Sequence, residues 1–549
     1  MTLRERLFLL SIPLVVLAVF FWKTPPSGSE LDLDLPYPDG WREVTDDLSE
    51  VVHLRWLMAG HGQSRPQKLD VMRQRWNLEV RPMFLSPEAM SQAQPLMLSA
   101  GDIPDVFIPG PNLRKYAENG YLMELPIEML LEHAPNLMRE INRHVPNIWP
   151  LFEYGGRNYA VLPSVWHDGE MPRLGIWRKD WLRAVGIDKV PETLEEYEEA
   201  LRRFRYNDPN QSGVRDTFGM SGDLTSPYVT FTEIFGAFGV MPYNYMEQDG
   251  QVVWGGVQPG AREALALLNR WYEEGLIHPE FLTDRWYQEV NTKFYNGRIG
   301  YVNYMSSYEA FQEANPMSVA SRMRTLQPGA ELAPGVPPIG PEGHRGHRVW
   351  GGAGTGGEFV FGRHMAERPR DVIRFLRMLD DLVVQEEDWS RVTLGEEGVH
   401  WRWIGGGREA GKGIEFLPPF DSPQARERAG LPSNPILISG SQREIYEPYL
   451  PQDMVSWDRV HRNTEWGKAD LFHVARAVPT DGLRVGDLGR LQMTVYADII
   501  RGVKPIEAFD DFVADWHAQG GTDMLERARE TFQRAQTVSD RIKTEMEDL

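Results

Sequence analysis

Short apolar segments alternate with helix-length amphipathic stretches from residue 51 onward, and this alternation confines the chain to α/β architectures. Residues 51–58 read as a strand, 67–76 as the helix after it and 78–84 as a second strand. The stretch 87–100 has helical composition and ends at Gly101, and 105–108 is a third short strand. The mixture recurs with a strand at 174–177 and helices at 179–185 and 193–204, where Thr193 and Glu196 form a capping box. A further helix covers 261–274, a strand follows the turn Asn296-Gly297 at 299–303, and 369–384 is a long helix. Beyond residue 491 the pattern is helical only, over 495–500, 506–519 and 523–544.

A chain of 549 residues is too long for one core, so two large lobes or more are expected. Its net charge of −21 is spread along the sequence and repels phosphate, which disfavours a nucleic-acid partner. The absence of cysteine excludes disulfides, thiol nucleophiles and Cys-based zinc or iron–sulfur sites. Arg4 and Arg6 precede an apolar stretch at 7–22, and Lys23 with the Pro/Gly/Ser segment 24–29 follows it, so 1–29 reads as an export signal or membrane anchor with its tether. As a helix that stretch spans about 24 Å, a little less than a hydrocarbon core. Its bulky end, Val19-Phe20-Phe21-Trp22, favours an uncleaved anchor over a cleaved signal. Basic residues before it and Glu30, Asp32 and Asp34 after it place the body on the extracellular side.

The run 207–217 sets oxygen-bearing side chains around one glycine. Asp208, Asn210, Ser212 and Asp216 occupy positions 1, 3, 5 and 9 of a calcium-type loop, Gly213 takes the sharp turn, and Val214 offers a carbonyl. The twelfth position, where a bidentate glutamate completes such a site, is Gly219. Two readings stay open, a structural Ca²⁺ loop and an Asx-rich surface turn.

Enzyme motifs fail on their context. Residues 352–357 match GxGxxG, but strand-like Phe359-Val360-Phe361 follows where a dinucleotide site needs a helix. Residues 406–412 approach a phosphate loop, yet Gly413 stands where Ser or Thr must bind Mg²⁺. Neither HExxH nor GxSxG occurs. A pair of glycosidase carboxylates leaves no linear signature, so a polysaccharide-processing glycosidase or lyase remains the alternative to a binding protein. The positive signal is aromatic. Among eighteen tryptophans, Trp166, Trp350, Trp401 and Trp403 stand beside Gly, Pro or polar residues, where ring faces and hydrogen-bonding groups together suit sugars.

The block 96–106, LMLSAGDIPDV, resembles the "ASGDxPDV" signature of the family 1 extracellular solute-binding proteins, the receptors of ABC importers. Further blocks follow in family order: 155–163, 174–182 (LGIWRKDWL), 193–204, the 208–216 loop, 268–281, 294–301 (FYNGRIGY) and 395–401 (GEEGVHW). The resemblance covers roughly 50–535. It is strongest to a large branch with Gram-positive sugar-binding lipoproteins and alginate-oligosaccharide-binding proteins, in which a comparable loop binds Ca²⁺. Two departures stand out: Ser212 and Thr217 replace stronger ligands, and no lipobox cysteine is present.

The resemblance implies an α/β, two-lobed periplasmic-binding-protein-like fold with hinge crossings and a C-terminal helical region. Mapped on this chain, lobe 1 takes 46–163 and 290–345, lobe 2 takes 164–289 and 346–440, and 441–549 packs across them. Ligand positions are then expected at Trp166, His167, Tyr228, Asn303, Tyr304, Trp350, Trp401 and Trp403, with His61 and Gln63 in lobe 1. The implied function is capture of an oligosaccharide and its delivery to ABC permease subunits, by a monomer without catalytic chemistry. Ligand sensing for a membrane kinase is a further alternative.

Overall fold

The computed structural model describes residues 40–59, 67–163, 165, 174–223, 230–284, 286–305, 318–349, 357–431, 442–450, 466–473 and 477–547. Two sheets organise them. The first has five strands in the order Leu78–Leu85, Val52–Ala59, Val106–Phe107, Phe359–Phe361 and Ala160–Val161. The first three run parallel, and Phe359–Phe361 is antiparallel to both its neighbours.

Alternation in Val52–Ala59 decides which face is covered. Val52, Leu54 and Trp56 are buried while His53 is exposed. Helix Pro369–Val384 packs on this strand, its Phe375 ring lying edge-on to Trp56 with centroids 5.2 Å apart. Proline at its first turn suits a helix start, and Val372, Phe375, Leu376, Leu379 and Val383 recur at helical spacing to form its buried stripe. Arg374 breaks that stripe. Its guanidinium holds Asp46 in a fully buried ion pair and also donates to the carbonyls of Glu50 and Asn77. This fastens the segment before the first strand to the body of the lobe.

The second sheet is antiparallel, in the order Tyr301–Met305, Leu174–Arg178, Leu332–Gly335. Trp177 is fully buried at its centre, against Tyr301 at 4.4 Å and Tyr197 at 4.8 Å between ring centroids. Gly175 makes this packing possible, since a Cβ there would collide with the Tyr301 hydroxyl. Tyr197 comes from helix Leu194–Tyr206, which begins with the expected capping box: Thr193 Oγ1 accepts from Glu196 N at 3.2 Å, and Glu196 Oε2 accepts from Thr193 N at 3.3 Å.

Strand pairing corrects the assignment of segments to lobes. The chain leaves the first sheet after Ala160–Val161 and enters the second at Leu174–Arg178, close to the expected first crossing. Both Tyr301–Met305 and Leu332–Gly335 then pair with Leu174–Arg178, so 290–345 belongs with lobe 2. The return crossing lies between Leu332–Gly335 and Phe359–Phe361, which puts the start of 346–440 back in lobe 1. Turn signals and blocks in the sequence mark where strands begin, whereas sheet membership depends on partners distant in the chain.

The C-terminal region is helical as its composition indicates. Helix Val485–Ile500 packs on Pro259–Glu273 and on Ala508–Trp516. Helix Thr522–Glu547 touches Pro135–His144 on the side of the first sheet and Gln251–Trp254 on the side of the second, so it spans both. The apolar stretch 7–22 lies outside the described residues. Among the described residues no helix is long and apolar enough to cross a membrane.

Candidate ligand site and cation loop

The two crossings are where an open α/β pair of lobes presents a cleft. Trp166 and His167 fall in the first crossing and Trp350 in the second, all outside the described residues, as are His61, Gln63 and Tyr228. Asn303 is described. It lies on the edge strand Tyr301–Met305, is partly buried, and donates its side-chain amide to Glu233 Oε2. Tyr304 shares that strand, its side chain lying outside the described set.

Glu233 carries signals that sequence reading did not pick up. It opens helix Thr232–Ala237, is 3% exposed, and its Oε1 has no hydrogen-bond partner among the described residues. Burial pushes its carboxyl up to about 7, against the opposing pull of its own backbone, Asn303 and Tyr301. A lone carboxylate inside the otherwise uncharged run TFTEIFGAFG was the available clue. A buried carboxyl with one oxygen satisfied and one free is a hydrogen-bonding group in want of a partner.

Trp401 and Trp403 belong elsewhere, which corrects their expected role. Trp401 is 3% exposed and donates its indole N–H to Gly395 O at 2.8 Å, leaving no face for a ligand. Trp403 lies against Tyr449 at 4.7 Å, and Trp389, Leu394, Ile414, Tyr446 and Leu450 complete a separate small core. Adjacent glycines made these tryptophans look like loop residues, although the strand Trp401–Trp403 pairs with Ile414–Phe416 and closes over that core.

The loop at 207–217 gathers its oxygens as the spacing indicates. Ser212 Oγ lies 3.1 Å from Val214 O, 3.1 Å from Asp216 Oδ1 and 3.4 Å from Asp208 Oδ1. Asp208 accepts from Ser212 N and Gly213 N, each at 2.9 Å, and Gly213 turns with φ 76°. Asn210 Oδ1 accepts from Ser212 N at 3.3 Å while its Nδ2 donates to Asp216 Oδ1 at 3.0 Å. The outer oxygen of Asp216 pairs with Arg298 at 2.9 Å, which orients the inner one. Four oxygens converge, those of Asp208, Ser212, Val214 and Asp216, with two carboxylates as the only formal charges, while Asn210 turns its amide nitrogen to Asp216. Among the described residues no group of three His, Asp or Glu gathers to hold a metal.

No family model matches the chain. A polygalacturonan/rhamnogalacturonan-binding protein of Bacillus subtilis is 24% identical over 267 residues, covering 47% of this chain and 49% of the relative. A fructooligosaccharide ABC transporter substrate-binding protein of Streptococcus pneumoniae is 23% identical over 304 residues, covering 52% and 54%. The chain is similar to these sugar-binding ABC transporter substrate-binding proteins. These matches span about half the length of the curated relatives. The fold agrees over a wider range: a solute-binding protein of Bifidobacterium longum infantis superposes with a TM-score of 0.64 at 16% identity, over 88% of this chain and 99% of that one. The two sheets accordingly correspond to the two lobes of a periplasmic-binding-protein-like fold.

Proposed function

We propose that the protein captures an oligosaccharide between its lobes and delivers it to the permease of an ABC importer on the extracellular face of the cytoplasmic membrane. The observation that carries this reading is the pair of crossings between two sheets, with Asn303 and the half-satisfied Glu233 carboxyl on the second lobe. The curated relatives are named for binding polygalacturonan or rhamnogalacturonan and fructooligosaccharide, which supports a sugar ligand and a binding role without turnover. Ligand trapped between lobes favours the closed form, and that population shift is the signal a permease reads. Trp166, His167, Tyr228, Tyr304, Trp350, His61 and Gln63 are the further contacts in this reading. The 7–22 stretch serves as the membrane anchor, and the 208–216 loop holds a structural Ca²⁺ that stiffens lobe 2 away from the ligand.

A thermal-shift screen of the purified protein against oligosaccharides tests this reading. A ligand at 100 times its Kd adds about 2.7 kcal/mol of stability, enough for a shift of a few degrees. Saccharides recovered unaltered after incubation support a receptor. Shortened or unsaturated products would sink that reading in favour of an enzyme.

A further inference from the structure

A groove of about 620 Å³ opens on the face of the first sheet turned away from helix Pro369–Val384, lined by His53, Arg55, Glu79, Arg81, Asp105 and Arg368. Alternation puts these side chains there: Val52, Leu54 and Trp56 are buried toward that helix, so His53 and Arg55 project on the other side. Parallel register sets His53 opposite Glu79 and Arg55 opposite Arg81. Two arginines thus stand side by side on strands about 4.8 Å apart, an arrangement of like charges that costs a sheet stability. The groove is separate from the cleft. Strand Ala160–Val161 runs parallel to Val106–Phe107, because both are antiparallel to Phe359–Phe361, so the chain leaves and re-enters this sheet at the carboxyl ends of its parallel strands. His53 and Glu79 lie at their amino ends.

Each carboxylate of the groove is already engaged. Glu79 pairs with Arg73 at 2.6 Å. Asp105 Oδ1 lies 2.6 Å from His364 Nε2, and its Oδ2 accepts from Arg55 N at 2.8 Å and from Arg368 Nη1 at 3.0 Å. Arg55 also reaches Asp102 on the rim, and Arg368 reaches Asp371 and the carbonyl of His53. Arg81 is exposed and makes no hydrogen bond or ion pair among the described residues. An anion entering the groove therefore meets one guanidinium with all five N–H groups open, flanked by two more. Three guanidiniums from three separate elements outnumber the two oxygens of a carboxylate, whereas a phosphate group offers three or four oxygens to several arginine forks at once. The groove is larger than a bare phosphate, and Leu54, Val80 and Pro82 complete its lining, so there is room and apolar wall for the carbon skeleton of an ester.

We propose that Arg55, Arg81 and Arg368 form a phosphate site on lobe 1, distinct from the sugar cleft, that takes a small organic phosphate of the glycerol phosphate type, free or as a lipid headgroup. The net charge of −21 repels an extended polyanion, but screening within about 8 Å leaves a single phosphate in the groove to these local cations. The site does not depend on what the cleft binds.

Calorimetric titration of the full chain with glycerol 1-phosphate, and with dihexanoyl phosphatidylglycerol below its micelle concentration, tests the assignment, with glycerol and succinate as controls. The expected result is saturable one-to-one binding of at least one phosphate probe and none of glycerol. Tighter binding of the monoester points to a free phosphate, and tighter binding of the diester to a lipid headgroup. Arg81→Ala should weaken the preferred probe roughly tenfold or more, the value of a charge-assisted hydrogen bond, and Arg81→Lys should retain part of the affinity. Because Arg81 is exposed and unpaired, Arg81→Ala should melt with the parent. Arg501→Ala, which removes an exposed arginine of the C-terminal helical region, should bind the probe as the parent does. Silence of both phosphate probes overturns the site, as does an Arg81→Ala variant that binds like the parent. Succinate bound as tightly as the phosphates overturns the choice of ligand.

Discussion

Asn303 donates its side-chain amide to Glu233 and so joins the edge strand of the second sheet to the first turn of helix Thr232–Ala237. The carboxyl it meets is buried, with its titration raised to about 7. A raised carboxyl binds its proton more tightly in the folded state. Its contribution is therefore fully present below the unfolded pKa near 4.5 and is lost as pH rises toward 7. Glu233→Gln should gain stability relative to the parent across that window, by roughly 2–4 kcal/mol, and the difference should level off above pH 7. Urea unfolding of both proteins at pH 5 and pH 8 measures it, and parallel pH profiles would refute the assignment.

Asn303 and Trp401 should differ in their effect on binding. Asn303→Ala is expected to weaken the sugar ligand roughly tenfold, the value of one hydrogen bond of about 1.5 kcal/mol, and to cost about 1–3 kcal/mol of stability because the buried Glu233 Oε2 loses its donor. Trp401→Ala empties the small core beside Tyr449 and should cost about 3–5 kcal/mol of that region's stability while leaving ligand affinity of the folded protein intact. Calorimetry and unfolding on the two variants check the contrast.

Asp46→Ala leaves the Arg374 guanidinium buried with carbonyl partners alone. Breaking a fully buried ion pair from one side costs about 3–5 kcal/mol. Replacing both partners, Asp46→Leu with Arg374→Met, should recover most of the loss, since the remaining groups are apolar. Denaturant midpoints of the single and double variants give the comparison.

Calcium should raise the melting temperature of the protein and a chelator should reverse the effect. At 100 times Kd the gain is about 2.7 kcal/mol. Asp208→Ala removes both the inner oxygen and the acceptor for Ser212 N and Gly213 N, so the calcium response should vanish. An identical melt with calcium and with chelator would leave the loop as a hydrogen-bonded turn centred on Ser212.

Much of the local structure was legible in the chain. The capping box of Thr193 and Glu196, the strands around Leu54 and Trp177, and the turn at Gly213 each follow from residues within a few positions of one another. The turn that gathers the oxygens of Asp208, Ser212 and Asp216 was legible for the same reason, because they all lie within nine residues. Trp401 misled, since a tryptophan next to glycine reads the same whether its ring meets a ligand or a distant Tyr449. The half-satisfied Glu233 carboxyl was not visible, because a missing partner is defined by which groups fail to come near it.

The sequence by itself determined the α/β class and the oxygen pattern of the loop, both of which are written in local periodicity and spacing. Tertiary structure decided which sheet each segment joins, moving Tyr301–Met305 and Leu332–Gly335 to the second lobe and Phe359–Phe361 to the first. It also decided which polar groups are stripped of water. Both outcomes are set by contacts between residues far apart in the chain, where burial fixes strand partners and the cost of an unpaired charge at once.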